Sequence, residues 1–196
     1  MNGIADILRE SSLKPAKSVP QPMWEVPGVE PDFDVIIIGG GVAGTVAAYQ
    51  LSRAGHDVLL IERGQEPGSK NLSGGVLYCR VLQEIFPDFL QDAPVERKIT
   101  RNQLMLLNGD SSVALDYRDA RLADPVNAVT VLRAKLDPWL SGKCEEAGAT
   151  VMPGVRVDSL IERDGQFVGV RSGDEELYSR VVIAADGVNS FLSRDA

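Results

Sequence analysis

Short apolar runs, broken by glycines and polar stretches, set the rhythm of this chain. The first is Val35–Ile38, four β-branched residues that predict a brief strand buried on both faces. Gly39, Gly41 and Gly44 follow. An alanine-rich stretch from Val42 to Ala54 then predicts a helix that Gly55 ends. Val58–Ile61 is a second apolar strand, closed by Glu62. Arg63–Gly75, with Pro67, Gly68, Gly74 and Gly75, reads as a loop leaving the C-terminal end of that strand. Tyr78–Ile85 reads as a helix stopped by Pro87, with Leu82, Ile85 and Phe86 as core positions.

Farther on, Lys98–Leu107 and Ser112–Tyr117 read as strands joined at Asn108-Gly109, a dipeptide that favours hairpins. The hairpin interrupts the strand–helix alternation, so residues of about 96–128 are expected to form an inserted second layer or subdomain. Ala120–Ala128 is irregular, Val129–Leu132 a short strand, and Arg133–Ala147 a helix ended by Gly148. Pro138 is tolerated there if it falls in the first turn. Ala149–Met152 is another buried strand. A three-stranded meander is expected over about 155–178, with strands near Val155–Glu162, Gln166–Arg171 and Glu176–Leu177 and a turn at Asp164-Gly165. Arg180–Ala184 is a final apolar strand, running into ADGVNS at 185–190. The main parallel sheet is therefore expected to hold 35–38, 58–61, 149–152 and 180–184. Residues 1–31 read differently. Ile4–Leu8 suits one helical turn, but Pro15, Pro20, Pro22, Pro27 and Pro31 oppose regular structure. This is a linker, an arm anchored by Met23 and Trp24, or a loose tail.

The glycine spacing carries candidate chemistry. Gly39 allows a tight turn out of the strand, Gly41 lets a pyrophosphate approach the backbone, and Gly44 lets the helix pack close to the sheet. The helix N-terminus offers free N–H groups and the positive end of its dipole. Glu62 ends the second strand where an acid about 20 residues on would meet a ribose hydroxyl. A glycine-rich turn in an unrelated α/β protein would leave that acid unexplained. Composition narrows the partners: the formal charge is −8, which disfavours nucleic acid or an anionic membrane as a general partner. Cys79 and Cys144 are far apart and in no C-x-x-C motif, so this chain cannot supply a four-thiolate cluster or zinc site. A reducing, cytoplasmic location is the expectation, with no run of 18 apolar residues to span a bilayer. His56 reads as a surface residue in a helix-to-strand turn.

Taken in order, the glycine motif, the terminal acid, an arginine-led helix, a meander and the IAADGVNS stretch at 183–190 resemble the FAD-binding part of the p-hydroxybenzoate hydroxylase-like flavoproteins. PGSKNLSGGVLYCRVLQEIFPDF, Pro67 to Phe89, is similar to the FixC-type members of the electron-transfer flavoprotein:quinone oxidoreductase group. Asp92-Ala93-Pro94 with Glu96-Arg97, and Leu132-Arg133 with Asp137-x-Trp139-Leu140, fit the same pattern. The resemblance covers about residue 32 to the end. It implies an α/β, Rossmann-like FAD-binding domain of the GR2 or p-hydroxybenzoate hydroxylase type with a β-meander. That domain is expected to be incomplete at its C-terminus, because the family pattern adds a later strand and a G-D motif. A truncated gene product, a piece of a longer chain and a partner supplied separately all remain open.

For the site, the resemblance implies FAD, with Gly39, Gly41 and Gly44 at the pyrophosphate, Glu62 at the adenosine ribose and Arg63 flanking the adenine. Arg133 would meet phosphate, the competing reading being a surface salt bridge. Asp186 and Gly187 would be the second fingerprint, the competing reading being an ordinary Asp-Gly turn. Ser73, Gly74 and Gly75 would let backbone approach the flavin or its ribityl chain. Electrons would arrive from an electron-transfer flavoprotein and leave toward quinone or a ferredoxin-like iron–sulfur protein, with peripheral membrane association for a longer protein. No catalytic residue is designated. A flavin monooxygenase or halogenase, a geranylgeranyl-reductase-like enzyme and a non-catalytic dinucleotide-binding fragment are the alternatives. The Lys70–Gly74 loop favours the quinone-oxidoreductase side.

Overall fold

The computed structural model describes residues 28–195. The expected turn at Ile4–Leu8, the prolines up to Pro27 and the Met23–Trp24 pair lie outside the described residues. The chain opens with β1 (Phe33–Ile38), α1 (Val42–Arg53) and β2 (Val58–Glu62). β1 and β2 are parallel, with Val35 opposite Val58 and Ile38 opposite Ile61. Their side chains divide by strand alternation. Val35, Ile37, Val58 and Leu60 enter one core with Ala48 of α1 and Cys144, whereas Ile36, Ile38, Leu59 and Ile61 enter another with Val170 and Leu192. Both faces are covered, which is why these strands read as unbroken apolar runs rather than alternating ones.

The segment after β2 departs from expectation. Gly74–Tyr78 is a strand, β3, rather than the end of a loop and the start of a helix. It pairs antiparallel with β7 (Ala128–Leu132), Gly74 opposite Leu132. The helix α2 (Cys79–Ile85) follows, then α3 (Phe89–Asp92) and β4 (Val95–Lys98), which lies on the other side of β7. This three-stranded layer encloses Cys79, Leu82, Phe86, Phe89 and Val129 with Leu136 and Leu140. Tyr49 and Trp139 stack on Phe86 at 4.4 and 5.3 Å between ring centroids, joining the layer to the helices that cover the main sheet.

The long strand expected over Lys98–Leu107 is two strands, β4 and β5 (Arg101–Leu107), separated at Ile99-Thr100. β5 and β6 (Ser112–Arg118) form a separate two-stranded hairpin. Its loop has four residues instead of a two-residue turn, because the Asn108 side chain accepts from the N–H groups of Asp110 (2.9 Å) and Ser111 (2.7 Å). The register puts Leu104 with Leu115 and Leu106 with Val113 on one face, and all four are at least 60% exposed. A 3-10 turn, Ala120–Leu122, leads back to β7.

α4 spans Arg133–Glu146 and holds Pro138 as its sixth residue, past the first turn where the proline was expected to be tolerated. β8 (Thr150–Pro153) then joins the free edge of β2. The meander strands are β9 (Ser159–Arg163), β10 (Gln166–Ser172) and β11 (Glu175–Ala184). The third meander strand and the last strand of the main sheet were expected as separate pieces. They are one ten-residue strand, β11. Its first half is antiparallel to β10 and its second half parallel to β1, so the whole forms one six-stranded mixed sheet, β8-β2-β1-β11-β10-β9. A short helix, α5 (Leu192–Asp195), ends the described chain. Among the described residues no helix is long and apolar enough to cross a membrane.

Candidate functional site

β1 lies between β2, reached through α1, and β11, reached only after the chain has crossed to the other side. The order of strands therefore reverses at β1. A crevice outside the carboxyl ends of parallel strands at such a reversal is the usual ligand position in open α/β sheets. The candidate residues collect at this end of the sheet.

Gly39 leaves β1 at φ +112°, and a Cβ there would stand 2.4 Å from the Ala185 carbonyl oxygen. Only glycine accommodates that backbone together with that approach. Ala185 N–H donates to Ile38 O at 2.8 Å, so the strand ends carrying Gly39 and Asp186-Gly187 are fastened together. Asp186 accepts from Ser190 Oγ at 2.8 Å, and Ser190 N–H donates to Gly187 O, which folds ADGVNS into a compact turn. A Cβ on Gly44 would stand 1.9 Å from Gly39 O, so the start of α1 sits directly on the turn. Gly41 differs: its Cβ position is open, with Arg133 Nη2 the nearest atom at 3.9 Å. Gly41 caps α1 without a side-chain hydrogen bond, and the first helical bond runs from Thr45 N–H to Gly41 O. The amides ahead of Thr45 have no acceptor within α1, and a Cβ on Gly41 would enter the open space at the head of that helix.

Glu62 ends β2 as expected, and its carboxylate holds two backbone amides. Oε2 accepts from Gly40 N–H at 2.8 Å and Oε1 from Gly64 N–H at 2.5 Å. A carboxylate has about four acceptor positions, so two remain for hydroxyl groups. Arg63 is exposed on the following loop. Gly74 and Gly75 open β3 rather than closing a loop, and Ser73 ends the loop just ahead of them, beside the head of α4, where Ser73 O accepts from Arg133 N–H at 3.1 Å.

Arg133 does form a salt bridge, with a partner that lies in the interior. Its guanidinium donates through Nε to Asp137 Oδ1 (2.7 Å) and through Nη2 to Oδ2 (2.8 Å), and the Asp137 side chain is fully buried. That pairing raises the Arg133 pKa further and fixes the cation beside Gly41. Asn71 Nδ2 adds a third bond to Asp137, at 2.7 Å. Gly40, Gly68, Asn71 and Asp137 are not among the site residues that the sequence names. The i, i+4 spacing of Arg133 and Asp137 on one helix is the signal that could have found the pair. His56 lies at the opposite end of the sheet, 3.9 Å from Asp34. Free amides at a helix start, a fixed cation and an acid with spare acceptor positions suit the two phosphates and ribose of a dinucleotide.

Residues 32–196 match the FAD binding domain family model. Among curated proteins, the chain is similar to the probable electron transfer flavoprotein-quinone oxidoreductase YdiS of Escherichia coli K12, 51% identical over 163 residues. It is also similar to the protein FixC of the same strain, 46% identical over 162 residues. These alignments cover 83% and 82% of this chain and 38% of each relative, so the chain spans well under half the length of either. Among solved structures, the geranylgeranyl bacteriochlorophyll reductase-like protein of Thermoplasma acidophilum superposes with a TM-score of 0.67 at 27% identity, covering 83% of this chain and 41% of that one. The myxobacterial chondrochloren halogenase CndH gives 0.61 at 25% identity, covering 83% and 39%. With the glycine motif and the ADG stretch joined at the reversal point of its sheet and this family match over nearly all the described residues, the chain belongs to the FAD binding domain family and is related to the FixC and electron transfer flavoprotein-quinone oxidoreductase proteins.

Proposed function

We propose that this chain holds FAD across the carboxyl end of its main sheet, as the cofactor-binding part of an oxidoreductase. That enzyme would pass electrons from an electron-transfer flavoprotein toward a quinone or a ferredoxin-like iron–sulfur partner. The observation that carries the cofactor reading is the contact of Gly39 with Ala185, which brings the two fingerprints together. A domain for NAD alone has no need of the second. Gly41 and the first amides of α1, with Arg133, would hold the pyrophosphate. Glu62 would take the ribose and Arg63 the edge of the adenine. Ser73–Gly75 and Asp186-Gly187 would line the path toward the flavin. FAD supplies the reversible uptake of electrons, while these residues bind and orient it. In this reading residues 32–196 form the cofactor domain, with about 96–128 an insertion and about 155–178 the meander.

The electron partners rest on the similarity to YdiS and FixC and on the Lys70–Gly74 loop. A geranylgeranyl-reductase-like activity is the second reading, favoured by the likeness to the Thermoplasma protein. The test begins with protein purified without added flavin and then denatured, the released nucleotide being identified by mass. FAD is expected, and NAD alone would end the proposal. Reduced electron-transfer flavoprotein is then added under argon and the flavin band followed. Bleaching that returns with a quinone analogue supports the quinone reading. Bleaching by reduced nicotinamide alone favours a hydroxylase, halogenase or prenyl reductase.

A further inference from the structure

Resting on the FAD reading, we propose that Asp137 is a positioning residue for the phosphate site. It would aim the Arg133 guanidinium and, through Asn71, lock the loop after β2 onto the head of α4. Both Asp137 oxygens are engaged: Oδ1 by Arg133 Nε, Oδ2 by Arg133 Nη2 and Asn71 Nδ2, all within 2.8 Å. A carboxylate buried this fully is expensive to keep. Its return is geometric. A fork-on-fork pair fixes both the position and the plane of a guanidinium, which a single contact does not. Two of the five guanidinium N–H donors are committed to Asp137, leaving three for a ligand. They are held next to the open space at Gly41.

The loop reaches the same carboxylate from the other side. Asn71 is anchored to Asp137, and the place a Gly68 Cβ would occupy lies 2.8 Å from Asp137 Cβ and 3.0 Å from Arg133 O. Gly68 has φ +81°, so the loop backbone presses onto the first turns of α4 at a point where no side chain fits. Nearer the strand, Gly64 N–H is held by Glu62, and at the far end Ser73 O is held by Arg133 N–H. The loop between the expected ribose acid and the expected phosphate cation is thus tied at both ends and at Asp137 in between. One buried acid sets the cation and the loop together.

The test uses the full 196-residue chain without flavin, titrated with FAD, ADP and adenosine. Adenosine lacks the phosphates, so the ratio of ADP to adenosine affinity reads the phosphate contact alone. Asp137→Asn keeps the shape and removes the charge. It should lower FAD affinity about tenfold or more and shrink the ADP preference by a similar factor, the scale of a hydrogen bond to a charged group. In an Arg133→Met background the same change should cost less than about twofold, because the two residues act as one unit. Asn71→Ala should speed trypsin cleavage after Lys70 and reduce the ADP preference by a smaller factor. A folded Asp137→Asn protein with unchanged ADP preference, or with equal losses in both backgrounds, overturns the proposal. If Asp137→Asn gives no cooperative melt, the Asn71→Ala protein decides: unchanged cleavage and unchanged ADP preference overturn it. A wild-type chain that binds neither FAD nor ADP removes the FAD reading as well. A wild-type chain that binds FAD no better than Asp137→Asn removes the positioning role alone.

Discussion

Replacing Glu62 separates what its carboxylate does for the fold from what it is proposed to do for the ligand. The carboxylate accepts from Gly40 N–H at 2.8 Å and Gly64 N–H at 2.5 Å, one bond on each oxygen. Glu62→Ala leaves both amides without that partner. Hydrogen bonds to charged groups contribute about 1.5–3 kcal/mol each when sheltered. Glu62 is only half-buried, so water replaces part of the loss, and about 2 kcal/mol for the pair is a reasonable expectation. For a domain of this size each kcal/mol moves the melting temperature by about 2–4 °C, so the ligand-free variant should melt about 4–8 °C lower. Loss of the ribose contacts should weaken FAD binding by a further ~1.5–3 kcal/mol, roughly 10- to 150-fold. Glu62→Gln restores one acceptor and sets an NH2 group against the other N–H, so its stability should fall between those of wild type and alanine. Scanning calorimetry of the ligand-free proteins reads the first effect and titration calorimetry with FAD the second. An alanine variant that melts with the wild type would refute the backbone clamp. An unchanged dissociation constant would take Glu62 out of the ribose site.

The glycines of the first motif should part company. Gly44→Ala must move the Gly39 carbonyl and should cost at least about 1–3 kcal/mol in ligand-free stability, whereas Gly41→Ala has room and should leave the melt unchanged while weakening FAD binding; a destabilised Gly41→Ala or an unaffected Gly44→Ala contradicts the contacts. Burial pushes the Cys144 thiol up to about 12, its Sγ resting 3.0 Å from Thr45 O. The neutral thiol is favoured by folding, so this contribution is complete below the unfolded value near 9 and is lost as pH rises from there toward 12. In the folded protein at pH 8, iodoacetamide should therefore leave Cys144 unmodified, and labelling as fast as in denaturant would refute its burial.

Much of this architecture was legible because its strongest signals are local. The run Val35–Ile38, the glycine spacing, the stop at Gly55 and the acid at Glu62 each depend on a few adjacent residues, and they fall where the chain places β1, α1 and β2. Gly74–Tyr78 was misread because its strand character comes from pairing with β7, fifty-odd residues away, while its two glycines argue locally for a loop. The Asp137 network was hidden for a related reason. Asp137 and Asn71 look like ordinary surface polar residues until the fold buries one and brings the other to it. At Asn108 the local signal was real but incomplete: the dipeptide gives a turn, and the side chain's own bonds lengthen it to four residues.

The undivided β11 bears on how the site is assembled. Its first half takes its register from β10, with Leu177 opposite Val170, and its second half takes its register from β1, with Ala184 opposite Ile38. The change of partner at Tyr178-Ser179 is fixed by Asp32, whose N–H donates to Tyr178 O and whose carboxylate accepts from Tyr178 N–H, both at 2.9 Å. A strand clamped this way has one permitted register, because a slip of a single residue would turn every buried side chain to the opposite face. The position of Ala185 against Gly39 is therefore set from about seven residues upstream, where the meander ends. The meander meets a candidate residue at its start, where Val155 N–H donates to Glu62 O at 3.0 Å, and at its end it measures out the strand that delivers Asp186 and Gly187 to the first motif. That gives it a physical task in the site beyond filling one face of the sheet.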